Sequence, residues 1–429
     1  MVKRLKVDVV EGDLQLEDGS ILESTGEKIV VNGSLICKGD CEIFGTLECQ
    51  RLRGSYGDIE VYGNAIVYHE VKVKKGSLYV EGDLQARRVA VDKKLSIGGL
   101  FETTTVAVGG NLMATSGKAE DISVGGKVEI REKVHARSIS VGGTLKCGSV
   151  EAERISVGGT VDCEEITANK ISVGGTLKSE RISAERISVG GVVEFSEGEI
   201  KDKVSVGGSL KVSKSIKAGR IEVGGTIDLG EGKVDIIDVG GMLKVEGKLR
   251  AEHIDVGGML VSKGFMEAND VDVGGALESE EDVRILNRLD VGGSVTINGL
   301  LEAGRISVGS RLYAKKINAG SIDATYLETE EGAWAKTVEI GENGKVKGVL
   351  VAEEVYLNEK ASAETIYAKF LEAEEKCRIR NVYACNVSLR DKTIVSGELK
   401  YSENIMLGEN VYIENGPTKV ENIIFPEDC

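Results

Sequence analysis

The chain has 429 residues, 56 of them glycine and two proline, with 4% aromatic residues and a net charge of -16 at a pI near 5.0. Such acidity excludes a dedicated nucleic-acid binder, whose phosphate contacts need clustered Lys and Arg, and no stretch is apolar for long enough to suggest a membrane span. Scarce proline beside abundant glycine implies a nearly continuous hydrogen-bonded backbone turning many tight corners around a core of Val, Ile, Leu and Ala.

The N-terminal "MVKRLKVDVV" is basic but lacks the apolar run of a secretory signal, which points to the cytoplasm. Leu5, Val7 and Val9 alternate as in a strand, the reading preferred over a short membrane-touching segment, and no other part of the chain is a candidate for membrane contact. Few Gln beside abundant Glu and Lys hint at a heat-loving source. Residues 1–96 carry less regular copies of a repeat, in "VEGDL", "VNGSL", "IFGTL" and "VYGNA".

From 97 to 310 the repeat becomes regular. A Gly-Gly pair follows "I-x-V" again and again, its second glycine falling at Gly126, Gly143, Gly159 and onward to Gly293 at intervals of 16, 17 or 18. Within one interval Val161, Cys163, Ile166, Ala168, Ile171 and Val173 form three pairs, each spaced by two, the period of a short strand. The sustained spacings of three and four that a helix needs are absent. The fold expected is therefore all-β, a three-sided parallel β-helix (β-solenoid) with 16–18 residues per coil, right-handed by the crossover rule. Roughly two dozen coils at ~4.8 Å would make a rod of about 110 Å. The Gly-Gly corners require either φ > 0 or a close backbone approach that a side chain would block.

Residues 311–412 read as further coils of a different subtype, with an interruption near 326–337 around the only tryptophan, Trp334, as a loop or distorted coil. The stretch "ASAETIYAKFLEAEEK" within 357–380 is helical on propensity, yet "AETIYA" parallels "AERISV" upstream and favours strand. Both prolines fall in 413–429, expected to be a tail or cap.

Little in the pattern suggests chemistry. Cys37, Cys49, Cys147 and Cys163 share an address that other coils fill with Phe195, Val212 or Leu229, so these thiols read as small core residues. Cys147 and Cys163 would be stack neighbours able to bridge, although a cytosolic location is expected to keep them reduced. Cys37, Cys41 and Cys49 lack the paired spacing of a zinc knuckle, and His135 and His253 stand about seven coils apart. No catalytic residue, metal site or cofactor is expected, and no nucleic-acid partner.

The outward positions are more informative. The middle residue of "I-x-V" is Ser from Ser123 to Ser205, then Glu222, Asp238, Asp255, Asp272 and Asp290. Stacked carboxylates repel, so this stripe reads as a solvated acidic face or as a candidate site for a cation or basic partner. Met242 and Met259 follow the neighbouring Gly-Gly pairs as a candidate apolar contact. Tyr356, Tyr367, Tyr383 and Tyr412 are candidate aromatic contacts, with Tyr367 and Tyr383 expected to stack.

The run "ISVGGTLKSERISAERISVGG", with "VKGVLVAEEVYL" nearer the C-terminus, resembles the bactofilins and related polymer-forming cytoskeletal proteins. The resemblance implies a three-sided right-handed β-helix that assembles end to end into nonpolar filaments without nucleotide, and no catalytic residues. The expectation is thus a non-enzymatic, self-associating scaffold whose partner is itself. The alternatives are a rigid binding rod presenting the acidic, Met and Tyr stripes to a protein, cation or glycan and, beyond it, a solenoid enzyme.

Overall fold

A computed structural model describes residues 4–426. Met1–Lys3, part of the segment whose alternative reading is membrane contact, and the last three residues of the expected tail or cap lie outside the described residues. The chain is all-β, its strands parallel and stacked into a β-solenoid of about 24 turns, with no helix among the described residues.

It divides into two compact units, 1–208 and 209–429. The strand Lys94–Ile97 pairs with Leu78–Val80 before it and Asn111–Ala114 after it, and one strand runs unbroken over Val295–Leu357.

In the first unit the strand Thr160–Val173 shows how a coil is made. Val161, Cys163, Ile166, Ala168, Ile171 and Val173 are all buried, and the side chains between them face solvent except where the chain turns. Each buried residue sits on its counterpart in the coils before and after, as in Leu145–Val161–Leu177 and Ile155–Ile171–Ile187. Burying a Val, Leu or Ile contributes about 1.5–3 kcal/mol, and one coil alone leaves both its upper and lower core surfaces wet. The repetition follows from that.

The Gly-Gly corners use close approach, not positive φ. The Gly159 N–H donates to the Gly143 carbonyl at 3.0 Å, and a Cβ on Gly159 would lie 2.6 Å from that oxygen. Further on, the corner changes type: Asn343, Lys360, Lys376, Lys392 and Asn410 take left-handed φ of 57 to 64°. Here an N–H donates to the next coil's carbonyl, as Lys392 does to Glu409 at 2.9 Å.

Of the loop or distorted coil expected at 326–337, the structure has a distorted corner inside a continuous strand: Gly332 has φ of 124°, and buried Thr329 holds the turn, its hydroxyl accepting the Gly332 N–H and reaching the Lys315 and Gly332 carbonyls, each at 3.0 Å. Part of 413–429 belongs to the ladder, since Pro417–Lys419 pairs with Leu399–Tyr401. Within 357–380 the chain forms the strand Ser362–Ala373, not a helix.

Candidate functional site

The acidic stripe lies wholly in the second unit. Glu222, Asp238, Asp255, Asp272 and Asp290 stand on successive rungs, each the register partner of the next. Its ends are compensated: Arg220 Nε lies 2.8 Å from Glu222, and Arg288 lies 3.7 Å from Asp272 and 3.6 Å from Asp290. Its middle is not, because the column beside it places Ile236 next to Asp238, and His253 next to Asp255 but turned to Asp270 at 3.2 Å. Partial burial, then the Asp272 and Asp238 carboxylates, push the Asp255 carboxyl above its ordinary value.

Parallel side chains on neighbouring rungs do not converge. No group of three or more His, Cys, Asp or Glu among the described residues is arranged to hold a metal ion. Cys37, Cys41 and Cys49 are buried free thiols. A hydrogen bond with Cys41, and then burial, push Cys37 well up, the same bond lowers Cys41, and burial carries Cys49 to about 12. The expectation of a reduced Cys147 and Cys163 is corrected: adjacent rungs set their Cα atoms 4.7 Å apart, within bridging range, and they form a disulfide.

Met242 and Met259 are register partners, followed by Ala276, with Met242 exposed and Met259 half-buried. Tyr367 and Tyr383 stack as expected, ring centroids 4.7 Å apart at 15°. Lys400 sits over the Tyr383 ring, whose hydroxyl donates to Glu398 at 2.9 Å; burial, and then that bond, take Tyr383 to about 12. Tyr356 lies on another column, opposite Glu372, and exposed Tyr412 pairs with Ile394, so the four tyrosines are not one surface.

Two features of the first unit escaped the sequence reading. Phe44 and Tyr62 stack outward on one column with ring centroids 4.6 Å apart, and Tyr79, the register partner of Glu60, meets the Tyr62 ring edge-on at 6.1 Å. The signal was present, since Phe44 and Tyr62 each precede an aligned glycine in "IFG" and "VYG".

The second is a groove of about 850 Å³ whose floor is the column Ala119, Ala136, Ala152, Ala168, Ala184. These buried alanines alternate with exposed residues on either side, so the trough lies over the inward-facing column between two ridges of outward side chains. The hollow ends where Ile200 takes the alanine position. One ridge runs Lys118, His135, Glu151, Thr167, Ser183; the other runs Glu120, Arg137, Glu153, Asn169, Glu185, with Lys201 next. Part of this charge is used within the chain: Lys118 lies 3.4 Å from Glu102, Arg137 2.7 Å from Asp121, and His135 3.4 Å from Glu151.

No helix among the described residues is long and apolar enough to cross a membrane. Compared with family models, with curated proteins and with solved structures, the chain gives no match.

Proposed function

We propose that the chain is a non-enzymatic structural protein that associates with further copies of itself into a scaffold or cytoskeletal-type polymer, without nucleotide. The observation that carries this reading is the in-register stacking of outward side chains, rung after rung, as in Ser140–Ser156–Ser172–Ser188. Such columns offer long regular surfaces for association. Catalysis would instead need polar side chains that converge on one point. The resemblance to polymer-forming bactofilins points the same way, and the cytoplasm is the compartment proposed, with which the Cys147–Cys163 disulfide agrees only for the heat-loving source that the composition hints at.

Negative-stain electron microscopy of the purified protein without nucleotide, over protein and salt series, tests it. Filaments, sheets or discrete oligomers are expected; separate single molecules at every concentration would remove the reading.

The uncompensated Asp238 and Asp255 favour a second reading, a docking surface for a basic protein partner. Reversing both to Lys would then abolish retention of that partner from a lysate, while an unchanged set of bound proteins would eliminate it.

A further inference from the structure

From the groove of the first unit we infer a face-to-face contact with a second copy of the chain, the two running antiparallel about a two-fold axis that crosses the groove midway between Glu153 and Asn169. This inference rests on the self-association reading and assigns it a surface and a register. A two-fold of this kind brings each ridge against the same ridge of the other copy in reversed order.

On one ridge the reversal sets Glu120 against Lys201 and Arg137 against Glu185. On the other it sets Lys118 against Glu199, which stands one rung beyond Ser183. Each pairing occurs twice, every one joins opposite charges, and the central Glu153 meets neutral Asn169. All of these paired side chains are exposed, and the alanines between the ridges are buried.

Other arrangements of the same surfaces are worse. Running the copies parallel joins opposite charges only at the two ends, Lys118 with Glu120 and Glu199 with Lys201, and at the middle it sets Glu151 against Glu153 and His135 against Arg137. Sliding the axis half a rung places Glu153 against its own copy in one direction and against Glu185 in the other. Like charges facing each other oppose association, so the pattern selects both the direction and the register. The ridges meet through their charged tips, water fills the alanine trough between them, and the contact weakens as salt rises.

Sedimentation equilibrium of the full chain, at low ionic strength and at ~0.5 M salt, tests this. Arg137→Glu is expected to weaken dimerisation about tenfold, and the double variant Arg137→Glu with Glu185→Arg to restore it. Positions 137 and 185 lie three rungs apart in one chain, about 14 Å, so a rescue reports a contact between copies. It cannot come from the lost Arg137–Asp121 pair. Lys118→Glu with Glu199→Lys repeats the test on the other ridge, and circular dichroism melts check that each variant is folded. If the wild type self-associates and Arg137→Glu leaves it unchanged, the groove contact is overturned while the scaffold reading stands. Loss of association without rescue by both swaps overturns the antiparallel register. A wild type that stays monomeric throughout overturns this inference and the scaffold reading together.

Discussion

Cys147 and Cys163 occupy the same position on adjacent rungs and are joined by a disulfide across 16 residues of chain. The bond ties one coil to the next where Leu145–Val161 and Ile155–Ile171 already hold them. It closes a loop about one coil long, for which the chain-entropy estimate is about 3 kcal/mol. Reduction, or the double change of both residues to Ser, is expected to lower the urea midpoint by a corresponding amount. Free-thiol counting of the unreduced, denatured protein checks the bond itself, and full labelling of both cysteines would contradict it.

Gly159→Ala tests the close-approach account of the corners. Its Cβ would lie 2.6 Å from the Gly143 carbonyl oxygen, a backbone atom that moves only if the ladder does. A loss of about 1–3 kcal/mol is expected, against a change within about 0.5 kcal/mol for the exposed Ser172→Ala one face away. Equal effects in urea titrations would show that the glycine is not there for space.

The β-solenoid was legible because its cause is periodic: six core positions in three pairs recur in every regular coil, and each must be covered by the next. Alternation likewise placed Asp238, Asp255 and Asp272 on one outward column and stacked Tyr367 on Tyr383. Features without a period were harder to read. The stretch 326–337 looked like a break because its corner is held by the Thr329 hydroxyl, an interaction between residues that no hydrophobic pattern marks. The groove was missed for a different reason, since its walls are outward neighbours of a core column, and the hydrophobic pattern records only the core.

Lys392→Gly tests the second corner type. Lys392 has φ of 60°, a conformation that costs a side-chain-bearing residue roughly 1–2 kcal/mol. Glycine avoids this strain but loses more chain entropy on folding, so a net gain of about 0.5–1 kcal/mol is expected. Thermal unfolding monitored by circular dichroism reads it, and destabilisation would mean that the lysine side chain holds the corner.

Two aspartates give pH dependences of opposite sign. Asp8 accepts hydrogen bonds from the Ser24 and Thr25 hydroxyls and from the Thr25 and Gly26 N–H groups, which lower its carboxyl from 3.8 to about 2. Its contribution is present above the unfolded value of 3.8 and is lost as pH falls through about 2. Asp255 is raised, so between the unfolded value and its own higher value the folded state binds more protons than the unfolded state. Stability from this residue therefore falls as pH rises through that window, and the ionised carboxylate opposes folding at neutral pH. Asp255→Asn should remove the penalty: a gain on the order of a few tenths of a kcal/mol at pH 7, discounted for solvent screening, and none at a pH where the carboxyl is already protonated. Denaturation of wild type and variant across pH 3–7 distinguishes the cases. A variant less stable than wild type at pH 7 would mean that Asp255 has a cationic partner.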